Sequence, residues 1–207
     1  MPTTRSKRAL RSVLKNTRNK ITSEKQTKHA AQLCRRLLKL GLVKSNIKIA
    51  CYIQNDGEIN LDIFMRSAKK CRALILLPRI EKNNTLTFHE FRSSSLKKNR
   101  FGILEPRAKQ AKTHGEIPDI VLMPLVGFDL DCNRLGMGGG YYDRTFSEEK
   151  YQGSILIGVA HQDQQIEKID VEPWDIRPDC IVTNRKVVFR QARARGKLVS
   201  ARPNAAT

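Results

Sequence analysis

Four glycines fall within the five positions from Gly136 to Gly140, and what flanks them constrains the fold more than any other stretch. Before them comes an apolar run, Ile120-Val-Leu-Met-Pro124, which reads as a buried strand. After them, Tyr141 to Phe146 with Glu148, Glu149 and Lys150 predicts a helix over 141–151. Strand, glycine loop and helix in that order form the unit from which α/β sheets are built. Without Cβ atoms the loop can turn tightly and bring backbone N–H groups against a ligand. At a helix N-terminus those groups and the helix dipole favour an anion, most often phosphate. Arg134 adds a planar donor fork suited to phosphate oxygens. Asp143 adds a hard oxygen of the kind magnesium takes beside a nucleotide. Glycine runs also make plain flexible turns, but the close bracketing by Arg134 and Asp143 favours the phosphate reading. The loop has no Gly-Lys-Ser/Thr of a Walker A loop, and Tyr141 stands where a dinucleotide fingerprint has its third glycine.

The rest of the chain repeats the alternation. A basic helix is predicted over Arg5 to Arg18, with Leu10, Val13 and Leu14 on one face and Lys7, Arg8 and Arg11 on adjoining turns. A second helix starts near Ser23, carries Ala30, Leu33, Cys34, Leu37 and Leu38 at helical spacing, and stops at Gly41. Ile47 to Ile53 and Ala73 to Pro78 read as buried strands, with a short helix capped by Asn60 between them. Leu86 to Phe91 reads as an edge strand, Ser93 to Arg100 as a loop and Phe101 to Pro106 as irregular. Ile155 to Ala160, Cys180 to Thr183 and Val187 to Phe189 read as the last strands. The expectation is a three-layer α/β/α sandwich on a parallel or mixed central sheet, one domain over 1–189, with a disordered basic tail over 190–207. Glu58, the 134–143 loop and the segment after Ala160 all follow strand ends, where such sheets bind ligands.

Charge separates the ends from the middle. Of the net +19, residues 1–39 hold twelve Lys/Arg against Glu24 alone, and 185–207 hold seven with no acid. Residues 40–184 are nearly balanced, with twenty Lys/Arg and nineteen acids. Basic ends attract polyanions such as nucleotide phosphates or nucleic acid, and a solvated helix face with a loose tail accounts for most of this charge. No apolar run approaches the ~20 residues of a membrane helix, and no signal peptide opens the chain. Five scattered cysteines without a Cys-x-x-Cys pair fit free thiols in a reducing compartment, so a cytoplasmic location is expected. Cys132, near the loop, is a candidate for partial reactivity. No Ser/His/Asp or Cys/His arrangement is evident. His161 reads as a structural histidine, His29, His89 and His114 carry no signal, and Trp174 reads as a packing residue.

The stretch Arg134-Leu-Gly-Met-Gly-Gly-Gly-Tyr-Tyr-Asp143 resembles the signature of the 5-formyltetrahydrofolate cyclo-ligase (methenyltetrahydrofolate synthetase) family, at every fixed position and in a bacterial version. Lys-Arg-Ala-Leu-Arg11, Gly57-Glu58, Phe101 to Pro106, Pro124 to Asp129, and Glu172-Pro-Trp-Asp175 followed by Asp179 extend the likeness over 5–189. The resemblance implies ATP-dependent cyclisation of 5-formyltetrahydrofolate to 5,10-methenyltetrahydrofolate, with magnesium, by a chain expected to act as a monomer. It implies that Lys7, Arg11 and, less firmly, Arg8 contact the ATP phosphates. Arg134 and the run Leu135, Gly136, Met137, Gly138, Gly139, Gly140, Tyr141 and Tyr142 would cradle the nucleotide. Arg134 and Tyr142 would be catalytic, and Asp143 with Asp179 would hold magnesium. Glu58 would accept hydrogen bonds from the pterin, with Phe101 and Tyr142 as flat surfaces for its rings. Read without the family, Glu58 and Asp179 are ordinary solvated acids. Two other readings stand beside this one: a nucleic-acid binder using its basic ends, and a relative that keeps the nucleotide loop but acts on another substrate. Against the first, the middle of the chain is near neutral and lacks a basic–aromatic recognition pattern.

Overall fold

In the computed structural model, which describes residues 6–107 and 115–190, seven strands form one mixed sheet, running from edge to edge as Val187–Phe189, Cys180–Thr183, Ile155–Ala160, Ile120–Pro124, Lys48–Ala50, Leu74–Ile80 and Leu86–Glu90. The strands are β1 (Lys48–Ala50), β2 (Leu74–Ile80), β3 (Leu86–Glu90), β6 (Ile120–Pro124), β9 (Ile155–Ala160), β10 (Cys180–Thr183) and β11 (Val187–Phe189). Pairing is parallel from β10 through β9, β6 and β1 to β2, and the edge strands β3 and β11 are antiparallel. Every residue of β10 is buried, as is all of β6 except Pro124, which is why these strands read as continuous apolar runs. Leu86–Glu90 is an edge strand, as expected, and Cys180–Thr183 and Val187–Phe189 are the two expected last strands. The part of the predicted tail from residue 191 onward, and Arg5 of the predicted first helix, lie outside the described residues.

Successive strand residues alternate between the two faces. Ile49, Ile75, Leu122 and Ile157 pack against Leu33 and Leu37 of α2 (Ser23–Lys39) and Phe64 and Met65 of α3 (Asp62–Lys70). Ala50, Leu76, Val121 and Met123 face the other way, onto Phe146 of α4 (Tyr141–Phe146) and Tyr151. The three layers are thus uneven, with long helices on one side and six residues of α4 plus a 3-10 turn on the other. Helix α2 begins one residue after the N-cap Thr22, whose hydroxyl accepts from the Lys25 N–H, and ends at Lys39, just before the left-handed Gly41 with φ 70°.

Two local expectations are corrected. Residues 93–106 are not loop and irregular chain but a 3-10 turn followed by a hairpin, β4 (Leu96–Lys98) with β5 (Leu104–Pro106). Asn99 closes its tip by accepting from the N–H groups of Phe101 and Ile103, a side-chain device that short strands of mixed polarity do not advertise. The helix after the glycine loop stops at Phe146 and resumes as a 3-10 turn over Glu149–Tyr151, so the predicted span 141–151 is two pieces. The remaining strands, β7 (Gly127–Phe128) and β8 (Arg134–Leu135), form a small hairpin that delivers the loop.

Thr145 fastens α4 to the sheet edge. Its fully buried hydroxyl donates to the Tyr141 carbonyl at 2.7 Å and accepts from the Leu86 N–H at 2.8 Å. We expect Thr145→Val, which keeps the volume and strands that buried N–H, to cost about 1–3 kcal/mol in urea denaturation. An unchanged midpoint would show that α4 is held by packing alone.

Candidate active site

Chain order along the sheet reverses between β1 and β6: β1 leads outward to β2, whereas β6 leads the other way to β9 and β10. Such a switch point opens a crevice at the carboxyl ends of the two strands. A cleft of about 1150 Å³ lies there, lined by Tyr52 and Ile53 after β1 and Pro124 and Leu125 at the end of β6. Its other walls are α1 (Lys7–Asn19), the Asp56–Glu58 turn, the tip of the β4–β5 hairpin, the 134–144 segment and residues 173–176.

The glycine loop takes its shape from positive φ at Gly138 (95°) and Gly140 (65°), the latter starting α4. Helix α1 lies over it: Arg11 Nε donates to the Gly136 carbonyl at 2.8 Å, and a Cβ on Gly138 would stand 3.4 Å from Arg11 Cζ. Arg134 is buried beneath the loop. Its Nε donates to the Ile176 carbonyl at 3.0 Å and Nη2 is paired with Asp143 Oδ1, which also accepts from the Ile176 N–H. Nη1 remains beside Gly136, where an added Cβ would be 3.1 Å away. The guanidinium stands 5.9 Å from the centre of the Tyr142 ring, which stacks on Phe146. Burial raises the Tyr142 phenol well above its ordinary value, so it is a donor at neutral pH rather than a base.

The opposite wall carries Glu58. The turn before it holds Asp56 at φ 49° and Gly57 at φ 74°. Glu58 Oε2 accepts from the Asn55 N–H at 3.1 Å. Burial pushes its carboxyl up to about 7, against the opposing pull of the Arg18 guanidinium and that N–H. Phe101, at the hairpin tip, is 53% exposed and meets Tyr141 edge-on at 6.2 Å. Tyr141 in turn accepts from Arg100 Nη2 at 2.6 Å.

The structure therefore brings Lys7, Arg11, Glu58, Phe101, Arg134, Asp143 and the 135–142 run to one cleft. Leu135 is part of the backbone path, but its side chain is core, packed with Leu14, Val126 and Ile169. Two expected residues are not brought there. Arg8 is exposed and does not line the cleft, because α1 turns the stripe at Lys7, Arg11 and Lys15 inward. Asp179 stands at the start of β10, where its Oδ2 accepts from the Leu156 N–H at 2.8 Å near the start of β9. It is thus a strand-entry carboxylate away from Asp143. Among the described residues no group of three or more His, Cys, Asp or Glu gathers as a metal cluster. One carboxylate oxygen, Asp143 Oδ2, is uncommitted in the cleft, which fits a magnesium ion that takes its other ligands from phosphates and water.

Trp174 is not a packing residue: it is 68% exposed on the cleft wall. Its neighbour Asp175 receives Lys7 Nζ at 3.1 Å. Cys132 is fully buried, and burial raises its thiol to about 11, which removes it as a reactive group. His161 is structural, as expected. Fully buried, it is lowered to about 4 by burial, with Nδ1 2.9 Å from His29 Nδ1 and Nε2 3.3 Å from the Gly57 carbonyl. Lys15, Asp56 and Glu105 also line the walls and Arg18 stands behind them, none of which was expected from the sequence. Lys15 and Arg18 were findable, since they continue the helical stripe of Lys7 and Arg11.

Because the Glu58 pKa is raised on folding, its burial favours the protonated form. That contribution is present below the ordinary glutamate value of 4.5 and is lost as pH rises through about 7. We expect Glu58→Gln, compared with the parent by chemical denaturation, to gain on the order of 2 kcal/mol between about pH 5 and about pH 8. A difference independent of pH would mean that the carboxylate is solvated.

The chain is similar to known proteins along most of its length. Residues 3–184 match the model of the 5-formyltetrahydrofolate cyclo-ligase family. The 5-formyltetrahydrofolate cyclo-ligase of Haemophilus influenzae is 32% identical over 178 residues, covering 84% of this chain and 95% of the relative. That of Escherichia coli K12 is 31% identical over 183 residues, covering 84% and 98%. The solved structure of the Aquifex aeolicus 5,10-methenyltetrahydrofolate synthetase superposes with a TM-score of 0.73 at 26% identity, covering 90% of this chain and 93% of that one. The Mycoplasma pneumoniae 5,10-methenyltetrahydrofolate synthetase shares the fold, with a TM-score of 0.68 at 24% identity over 87% of this chain and 100% of that one. A family match across nearly the whole described chain, together with relatives aligned along almost their entire length, means that this chain belongs to the 5-formyltetrahydrofolate cyclo-ligase family.

Proposed function

We propose that the chain converts 5-formyltetrahydrofolate and ATP to 5,10-methenyltetrahydrofolate, ADP and phosphate in this cleft. The observation that carries the reading is the opposition of the Arg134–Asp143 glycine loop to Glu58 across one crevice. Phosphate chemistry stands on one side and a carboxylate acceptor on the other. At about 1150 Å³ the cleft exceeds the upper range of ~1,000 Å³ typical of a single small-molecule site, so it has room for nucleotide and folate together.

A formamide carbonyl is a poor electrophile and its oxygen a poor leaving group. In the proposed reaction the formyl oxygen attacks the γ-phosphorus and ADP departs. N10 of the folate then attacks the formyl carbon and loses its proton, and the oxygen leaves as phosphate. No covalent enzyme intermediate is needed, so the work of the protein is alignment and charge neutralisation. The loop N–H groups from Gly136 to Gly140 and the donors of Arg134, Arg11, Lys7 and Lys15 would receive the phosphates. Lys7 is held by Asp175 in the structure, and phosphate would compete for it. Asp143 would hold magnesium through Oδ2, and the ion would supply charge neutralisation between the phosphate oxygens. Glu58 would accept from the pterin amino and ring N–H groups, an acceptor role for which the ionised carboxylate is required. Phe101, Trp174 and Tyr142 offer faces to the flat rings.

The test is the absorbance of methenyltetrahydrofolate on mixing protein, magnesium, ATP and 5-formyltetrahydrofolate. ATP-dependent appearance is expected. ATP binding without folate turnover would indicate another substrate, and steeply salt-dependent RNA binding without turnover would indicate a nucleic-acid protein. With turnover established, Arg134→Ala and Asp143→Asn should each lower kcat by about tenfold or more, with the fold confirmed by circular dichroism. Near-parental rates in both would remove the loop from the chemistry.

A further inference from the structure

Behind the cleft wall lies a buried cation that the proposed reaction does not use. Arg18, near the end of α1, is 1% exposed and is not among the cleft-lining residues. Its Nη2 lies 3.1 Å from Asp56 Oδ2, and its Nη1 reaches toward the Leu125 carbonyl at 3.5 Å. It therefore spans the two strand ends that flank the switch point, the turn after β1 and the exit of β6. Its Nε is buried and has no hydrogen-bond partner among the described residues. A guanidinium buried with one partly buried carboxylate is a poor way to hold two strands together. Apolar side chains of similar volume often do so at least as well.

What Arg18 touches explains the expense. Two successive left-handed residues, Asp56 and Gly57, aim Glu58 into the cleft. Such a turn persists only where its surroundings over-determine it. Lys15 and Asn19 also bind the Asp56 carboxylate, at 2.9 and 3.2 Å, and Asn19 Oδ1 leaves no space for a Cβ on Gly57. Gln26 Nε2 and His161 Nε2 converge on the Gly57 carbonyl from behind, each at 3.3 Å. We infer that Arg18 is a positioning residue, which sets the place of Glu58 through Asp56 and acts on the folate without touching it.

This rests on the reading of Glu58 as the folate acceptor. The groups that bear on Glu58 are Arg18 from α1, Asp56 on its own turn, Tyr52 after β1 and Tyr142 from α4. Both tyrosines are neutral at working pH, Asp56 disfavours the ionised carboxylate, and Arg18 favours it. Lys15 reaches the same turn through Asp56, and His161 behind it is neutral. Removing the Arg18 charge should therefore move the ionisation of Glu58 upward as well as loosen its turn.

The experiment follows both effects in Arg18→Met, Arg18→Lys and the same two changes in a Glu58→Gln background, with melting temperatures recorded for each. Carbon NMR of the Glu58 side-chain carboxyl, which needs no substrate, gives its midpoint directly. It is expected near 7 in the parent and higher by about a unit in Arg18→Met. Arg18→Lys, which keeps the charge and loses the fork, should stay near the parent. In assays from about pH 6 to about pH 9, Arg18→Met should raise the folate KM about tenfold at neutral pH, with the ATP KM within about twofold. In the Glu58→Gln background the same change should add less than about twofold. An unmoved carboxyl midpoint, or an equal rise in folate KM with and without Glu58, would overturn the inference. If Arg18→Met does not fold, Arg18→Gln, which loses the charge but keeps hydrogen-bond donors, takes its place in both backgrounds under the same criterion of non-additivity. Absence of folate turnover in the parent would count against the proposed reaction. The NMR midpoint would still decide whether Arg18 governs Glu58.

Discussion

Helix α1 is attached to the rest of the molecule mainly by charge, and the cleft exists because of that attachment. Its buried residues are Leu14 and Arg18, so the helix brings little apolar area to the core. It is held instead by a line of polar contacts. Lys7 meets Asp175, Arg11 meets the Gly136 carbonyl, Lys15 and Arg18 meet Asp56, and Asn19 meets the same carboxylate. Partly exposed ion pairs are individually weak and screened by salt. A helix fastened this way can respond to phosphate more readily than one buried by an apolar face. The cations that close the cleft without ligand are the ones that phosphate would recruit, so docking of α1 and binding of a polyanion draw on the same charges.

The sheet supplies the other half. β1 and β6 are neighbours whose chain paths diverge, which opens a crevice beyond their carboxyl ends. Glycines let the backbone after β8 enter that space: Gly138 lies against Arg11, and Gly140 turns the chain into α4. Arg134 and Asp143 then lock the loop from below through Ile176. That pairing changes the meaning of the two residues. In the sequence they look like independent ligands for phosphate and metal. In the fold they are also each other's partners, which among the described residues leaves Arg134 Nη1 and Asp143 Oδ2 for a ligand.

Much of this was legible in the sequence. The parallel strands showed because their β-branched and aliphatic runs are buried on both faces. The loop showed because glycine spacing and its bracketing charges are local. Residues whose role depends on a distant partner were harder to see. Asp179 looked like a metal ligand by resemblance, but its carboxylate meets the Leu156 N–H at the strand-entry side of the sheet. Arg8 is adjacent to Lys7 in the chain but a hundred degrees away around the helix, a distinction that helical geometry could have drawn. Trp174 was read as a packing residue, yet its loop is pinned by the polar link of Asp175 to Lys7, which leaves the ring outside. The β4–β5 hairpin was missed because its strands are three residues each and its tip depends on the Asn99 side chain.

Glu58 joins the two halves and shows what the site demands of the fold. In the proposed role, a carboxylate that is to bind the pterin firmly must be shielded from water, because a solvated acceptor gives little net affinity. The same shielding raises its pKa to about 7 and so threatens the ionised form that the binding needs. Hydrogen bonding from Asn55 answers part of this, and a nearby cation answers more. That cation cannot sit in the cleft without pairing directly with Glu58 and occupying its oxygens. Placing it behind the turn, with Asp56 between, lets its field reach the carboxylate while leaving the oxygens free. Arg18 occupies that position, and its burial is the consequence.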